Sequence, residues 1–321
     1  MGTFQIAMVG GNGVGKTSLL AAMYDQFNQV IRQTNLQLKP DRESAALLGE
    51  QLANLKEMFD DFEIEKGISG TRERRDFAFG LGKKGESPSI TLKFADYPGG
   101  YIQGNATQIE RDQVYTLMRN SFVSIVTIDT PALMESHGRW NERINRTQQV
   151  LNIFQDTYAD LSAPRLVLFA PVKCESYIRD AAAALKLQMR IQESYRDLID
   201  LLNSDKLRSQ VAVAITPVQT VGTVVFSRIE TRNDQPVFFF RKEKPDAKYE
   251  PRDSEQPLLY LLRFLLRLHY AAEAHRWGPF SFLRAWFGMD EHLIDSIKTF
   301  SNKCKRTGGF KIIQGEEWLK V

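Results

Sequence analysis

The chain has 321 residues, 43% of them apolar, and a formal net charge of +3. That length allows one large α/β domain, or one domain with an appended piece, and the apolar share suffices for a substantial core. The near-balanced charge, without a basic tail, gives no ground for nucleic-acid binding, and with only Cys174 and Cys304 present a disulfide framework or a cysteine metal site is excluded, which fits a reducing, cytoplasmic setting.

Residues 4–9 form an apolar strand pattern at the very start, so no leader segment is expected. The strand runs into Gly10-Gly11-Asn12-Gly13-Val14-Gly15-Lys16-Thr17, a complete phosphate-binding loop. Its glycines let backbone N–H groups turn inward on phosphate oxygens, Lys16 reaches the β- and γ-phosphates, and the Thr17 hydroxyl ligates Mg²⁺. A helix over 18–27 follows, and its N-terminal dipole favours the anion. Gly10, Asn12, Gly13, Val14, Gly15, Lys16, Thr17 and Ser18 are the expected nucleotide contacts at this end.

Residues 30–70 are an insert before the second strand. Leu48, Leu52, Leu55, Phe59 and Phe62 step at helical spacing, which predicts one packed face of an extra helix; a partner-binding lid over the nucleotide is the alternative. Strands are predicted over 75–81 and 89–95. The short link between them makes a hairpin and hence one antiparallel edge strand. Next comes Asp96-Tyr97-Pro98-Gly99-Gly100. A carboxylate at a strand end, followed by a glycine, is the second half of a phosphate and magnesium site: Asp96 holds the metal through its water shell, and the Gly99 N–H approaches the γ-phosphate.

Further strands are predicted over 122–128, 166–171 and 211–215, with long helices over 141–159 and 180–202. Asp129, at a strand end, is expected to cap the next segment. Residues 231–256, with Pro236, Pro245 and Pro251, look like a connector. Residues 257–321 look like a helical extension packed on the domain of residues 1–230. Its apolar run over 258–270 carries Arg263 and Arg267 and is shorter than the roughly 20 residues a spanning helix needs. The aromatic stretch 277–289, with Trp277, Phe280, Phe282, Trp286 and Phe287, reads as core, with peripheral membrane contact as the alternative. His137, His269, His275 and His292 lack ligand spacing and read as structural. Alternating strands and helices make the fold an α/β three-layer sandwich of the P-loop NTPase type: a mostly parallel sheet with one antiparallel edge strand, plus the C-terminal helical extension.

On these motifs the chain resembles the P-loop GTPases of the translation-factor-related class. Within it, Pro98-Gly99-Gly100, Ala170-Pro171-Val172-Lys173-Cys174-Glu175 and Thr216-Pro217-Val218-Gln219-Thr220 make it most similar to bacterial double-GTPase-type domains of conflict and signalling neighbourhoods. The resemblance covers about residues 1–230. It implies that Lys173 lies along the base and that Glu175 accepts the guanine N1–H and amino protons, with Val172 departing from the polar residue the class places there. It also implies a main-chain donor to the base from Thr216 or Val218, since Pro217 has no N–H. Thr71, between Gly70 and the second strand, is the expected Mg²⁺ and γ-phosphate latch, with Thr34 the competitor.

Gly100 stands where many relatives carry a water-orienting Gln, and Gln103 is the nearest substitute. The expectation is a Mg²⁺-dependent GTP/GDP switch with slow hydrolysis, in which Lys16, Thr71, Gly99 and Gln103 act on the γ-phosphate, Thr17, Thr71 and Asp96 set the metal, and a protein partner reads the change. The alternatives are a nucleotide-binding regulatory module without turnover and an ATPase.

Overall fold

The structure is a computed structural model that describes residues 2–31, 34–65, 74–102, 106–274 and 291–320. Thr71, Gln103, His275 and the aromatic residues from Trp277 to Phe287 lie outside the described residues.

The elements run β1 (Gly2–Val9), α1 (Lys16–Val30), β2 (Leu36–Pro40), α2 (Arg42–Glu57), β3 (Glu63–Glu65), β4 (Arg75–Lys83) and β5 (Ile90–Asp96). They continue through α3 (Gln108–Asn120), β6 (Val123–Asp129), α4 (Thr130–Met134), α5 (Asn141–Asn145), α6 (Thr147–Tyr158), β7 (Arg165–Val172), α7 (Ala181–Ser194), α8 (Arg196–Leu202) and β8 (Val211–Ile215). The last are β9 (Val224–Arg232), β10 (Gln235–Lys242), α9 (Gln256–Ala274), α10 (Glu291–Ser301) and β11 (Lys311–Gln314).

Eight strands form one sheet in the order β11-β8-β7-β6-β1-β5-β4-β2. The five from β8 to β5 are parallel. The expected β4–β5 hairpin is present, with β2 continuing the antiparallel edge beyond it. β11 closes the opposite edge, antiparallel to β8. Every residue of β6 and β7 is buried, as central strands covered on both faces must be. One face carries apolar residues of α1, α2, α9 and α10, the other those of α3, α4, α6, α7 and α8. The helix after β1 and the helix after β5 thus lie on opposite faces, so the carboxyl ends of these two strands open a crevice.

Three expectations change. The 257–321 region is not wholly helical: β11 is part of the main sheet, and α9 is a core helix with Leu258, Leu259, Tyr260, Leu261, Leu262 and Phe264 all buried. Apolar residues buried around most of a helix need cover around most of it, and α9 packs against α1, β7 and α10, with Arg267 exposed. Among the described residues no helix is long and apolar enough to cross a membrane. The connector is the second change. Residues 231–242 belong to a β9–β10 hairpin, joined by β3 into a three-stranded sheet. Asn233 and Asp234 turn it with φ of 50° and 57°, the left-handed pair that tight two-residue hairpins require. Third, the helix expected over 141–159 breaks at Arg146, which takes φ 57° and ψ 47°; that over 180–202 breaks at Tyr195.

The insert forms α2 as predicted, buried through Leu48 and Leu55. Asp41 caps it, its carboxylate accepting from the Ser44 N–H at 2.8 Å. The helix stops before Phe59 and Phe62, and Phe62 is 48% exposed.

Candidate functional site

The phosphate loop joins β1 to α1 with positive φ at Gly10, Gly13 and Gly15, conformations that a Cβ disfavours. Lys16 is buried, its Nζ 3.1 Å from the carbonyls of both Gly10 and Gly11 and 4.0 Å from Asp96 Oδ1. Burial lowers its ammonium pKa, and the Asp96 charge opposes that. The Tyr97 ring stands 5.7 Å from the same Nζ, and burial raises its phenol above the ordinary range.

β1 and β5 pair so that Met8 aligns with Asp96. This brings the buried Asp96 to Thr17, whose hydroxyl donates to Oδ2 at 2.5 Å. A hydroxyl and a carboxylate side by side are hard oxygen donors, the chemistry a small divalent cation takes. Three residues on, Gly99 presses on the loop. A Cβ there would lie 2.0 Å from the Asn12 nitrogen and 2.2 Å from the Gly11 carbonyl carbon. Only glycine fits, and the two sequence motifs expected to form the phosphate site are in direct contact. Ser18 accepts a hydrogen bond from Gln51 of α2 at 3.1 Å.

The end expected to hold the base is built from β7 and the loop after β8. Lys173, with φ 55°, donates to Asp129 Oδ2 at 2.5 Å and reaches the Gly13 carbonyl at 3.4 Å. Its Nζ stands 5.7 Å from the Phe240 ring. Val172, in the place of a polar residue, packs beneath Gly15, where a Cβ would meet it at 3.3 Å. Glu175 is 5% exposed. Its Oε1 accepts from the N–H groups of Val221 at 3.4 Å and Gly222 at 3.3 Å. Burial nevertheless dominates and pushes its pKa up to about 7. A single cleft is lined by Gly13, Gly15, Lys173, Glu175, Thr220 and Phe240 among others.

Two expectations at this end do not hold. The Thr216 N–H bonds the Phe169 carbonyl at 2.8 Å and the Val218 N–H bonds the Pro171 carbonyl at 2.9 Å. Both are consumed in tying the loop to β7, so neither is free to meet a base; Thr220 and Val221 line the cleft instead. Thr34 also falls away. Its hydroxyl donates to the Ile31 carbonyl at 2.9 Å, beyond the far end of the 15-residue α1, which spans about 22 Å. Thr71 lies outside the described residues, but Arg75, which begins β4, pairs in register with Asp96.

Sequence reasoning missed the groups that support Lys173. Asp129 caps α4 as expected, accepting from the Ala132 N–H at 2.9 Å, and it is also the partner of Lys173. Asn145 fixes Asp129 in turn, accepting from its N–H at 2.7 Å and donating to its carbonyl at 3.1 Å. Phe240 carried no signal because its segment read as a connector. Cys174 is spent structurally: its thiol meets the Val218 carbonyl at 3.1 Å, and burial raises its pKa well above the usual thiol range. Among the described residues no cluster of three or more His, Cys, Asp or Glu side chains forms a metal site.

No protein-family model and no characterised relative matches the sequence. Among solved structures, the chain is similar to the Ski7 GTPase-like domain of S. cerevisiae bound to GTP, with a TM-score of 0.38 and 12% identity. It is likewise similar to that domain bound to GDP and inorganic phosphate, with a TM-score of 0.35 and 13% identity. Each alignment covers 68% of this chain and 43% of the Ski7 chain, less than half of that protein's length.

Proposed function

We propose that the chain binds a guanine nucleotide with Mg²⁺ and hydrolyses GTP slowly, as a switch. The observation that carries this reading is the contact of Thr17 with Asp96, beside the buried Lys16 and the Gly99–Asn12 approach. Thr17 and Asp96 are the residues that would hold Mg²⁺, which supplies charge neutralisation on the β- and γ-phosphates when bound. Lys16 places its ammonium on the same oxygens, exchanging the Gly10 and Gly11 carbonyls for phosphate. Gly99 senses the γ-phosphate through its N–H, because its Cα is held against the loop. Lys173 braces Gly13 and covers one side of the base cleft, and Phe240 walls it.

Glu175 selects guanine through its carboxylate, with one oxygen steadied by the Val221 and Gly222 N–H groups. Thr71 and Gln103 keep the roles proposed for them as latch and water contact. Output through a protein partner, in a bacterial conflict or signalling setting, rests on the sequence resemblance. The second reading is a regulatory module that holds nucleotide without turnover. It is favoured by Gly100, which has no side chain to orient a water and has open space around its Cα.

Nucleotide identity is tested by chromatography of the perchloric-acid extract of the purified protein, alongside titration of GDP, GTP and ATP with and without Mg²⁺. The expected result is guanine nucleotide in the extract and affinity that falls at least tenfold on chelating the metal or on Thr17→Ala. Equal competition by ATP refutes the base assignment. Binding indifferent to both Thr17→Ala and chelation refutes the metal assignment.

A further inference from the structure

The corner between α5 and α6 sits on the phosphate loop. A Cβ on Gly11 would lie 2.1 Å from the Ile144 carbonyl oxygen and 3.4 Å from Cγ of Arg146. The Gly11–Asn12 peptide is also the one Gly99 presses on. Arg146 and Gly99 therefore both approach the same peptide of the loop.

Arg146 is rigidly placed. Its N–H donates to the Glu142 carbonyl at 3.1 Å and its carbonyl accepts from the Val150 N–H at 2.9 Å. Its neighbour Asn145 is locked to Asp129 from both sides. It holds φ 57° and ψ 47°, a conformation L residues avoid and one that glycine or asparagine normally takes at a helix junction. Strain of this kind concentrates at functional positions. The side chain is not used by the fold. Arg143 donates to the Asp234 carbonyl at 2.7 Å and Arg139 stacks 4.8 Å over Trp140, whereas among the described residues no hydrogen bond or ion pair engages the Arg146 guanidinium.

We propose that Arg146 is a catalytic residue of this site, an arginine supplied in cis to the γ-phosphate. The inference rests on the GTP reading above. In hydrolysis the water oxygen bonds to the γ-phosphorus as the bond to the β–γ bridging oxygen breaks. The electron pair leaves on the β-phosphate of GDP, and the water's proton passes to the departing inorganic phosphate. Arg146 donates its N–H fork to the γ-oxygens and the bridge, where charge grows. With Gly100 unable to orient water by a side chain, this positive charge adds to that of Lys16. Arginines in this role raise kcat by about 10³- to 10⁵-fold.

The test compares the parent with Arg146→Gly, which relieves the left-handed strain, and Arg146→Lys. Each is measured for GDP and GTP affinity with Mg²⁺, for single-turnover GTP hydrolysis, and for formation of a GDP–aluminium fluoride complex. Arg146→Gly is expected to melt no lower than the parent, to bind GDP within about threefold, to lose at least a hundredfold in hydrolysis rate, and to form no aluminium fluoride complex. Arg146→Lys behaves the same way, because an ammonium lacks the planar fork.

Hydrolysis at the parent rate in either variant overturns the role of Arg146 and leaves the nucleotide reading intact. A parent that binds GTP but neither turns it over nor traps aluminium fluoride also overturns it, in favour of the regulatory module. A parent that binds no nucleotide overturns the site reading itself. If Arg146→Gly does not fold, the Arg146→Lys rate decides.

Discussion

Glu175→Gln separates the cost of burying this side chain from its use in reading a base. In the nucleotide-free protein the carboxyl titrates at about 7 against an ordinary 4.5, because burial outweighs the two N–H groups that hold it. A folded pKa above the unfolded one means a stability contribution that is fully present below pH 4.5 and lost as pH rises through about 7. The distance between those two values corresponds to about 3 kcal/mol at pH 8. With the side chain almost entirely enclosed, solvent screening takes little from that figure.

Gln keeps the shape and an acceptor for Val221 and Gly222 without the charge. The variant is therefore expected to match the parent near pH 5 and to exceed it by several degrees in Tm at pH 8. Thermal melts of both proteins from pH 5 to 8 read this directly. The same pair of proteins reports the base. The ratio of GDP to ADP affinity in the parent should climb about tenfold per pH unit below 7 and flatten above it, since only the ionised carboxylate accepts both guanine donors. In Glu175→Gln that ratio should be small and flat. Parallel melting profiles, or a pH-independent GDP:ADP ratio in the parent, would refute the reasoning about this carboxyl.

Gly99→Ala places a methyl carbon 2.0 Å from the Asn12 nitrogen, so the segment must back away from the loop. GTP hydrolysis is expected to fall about 10²- to 10³-fold, the scale of losing one transition-state donor, with GDP affinity within about fivefold; unchanged single-turnover rates would show that Gly99 does not report on the γ-phosphate. Asp129→Ala removes the partner of Lys173 and the cap of α4. About 1 kcal/mol for the cap and about 1–2 kcal/mol for a pair whose lysine is partly exposed should appear in chemical denaturation. GDP should also dissociate about tenfold faster by stopped flow, as Lys173 loses its orientation, and dissociation at the parent rate would show that Lys173 needs no such support.

Local patterns were readable where they were contiguous. The six predicted strands appear within about two residues of their expected ends, because buried parallel strands are unbroken apolar runs between turn signals. The phosphate loop and the Asp96–Gly99 turn were likewise complete in short stretches. β9 and β10 were hidden: β9 is solvent-exposed toward its far end, and Pro236 sits next to the turn, so polarity and proline masked a hairpin whose signal was Asn233-Asp234. β11, with only four residues, is defined by the free edge of β8 rather than by its own pattern. The break at Arg146 has no local cause, since arginine is a good helix former; Asn145 bonding Asp129 imposes it. For the same reason Asp129, Asn145 and Phe240 were not read as parts of the site, because each acts on a residue far away in sequence.

The pairing of β11 with β8 bears on how this protein is made. In chain order the phosphate loop precedes β11, so during synthesis the sheet it belongs to keeps an open flank until β11 arrives. Until then β8 offers an unsaturated edge, and the largely buried, apolar α9 has no complete pocket. Synthesis halted after β10 should therefore yield a fragment that carries every nucleotide-contact motif yet sediments as an aggregate. A monodisperse fragment of residues 1–255 that binds GDP would contradict this, and would mean that the trailing segments merely lie upon a unit already finished.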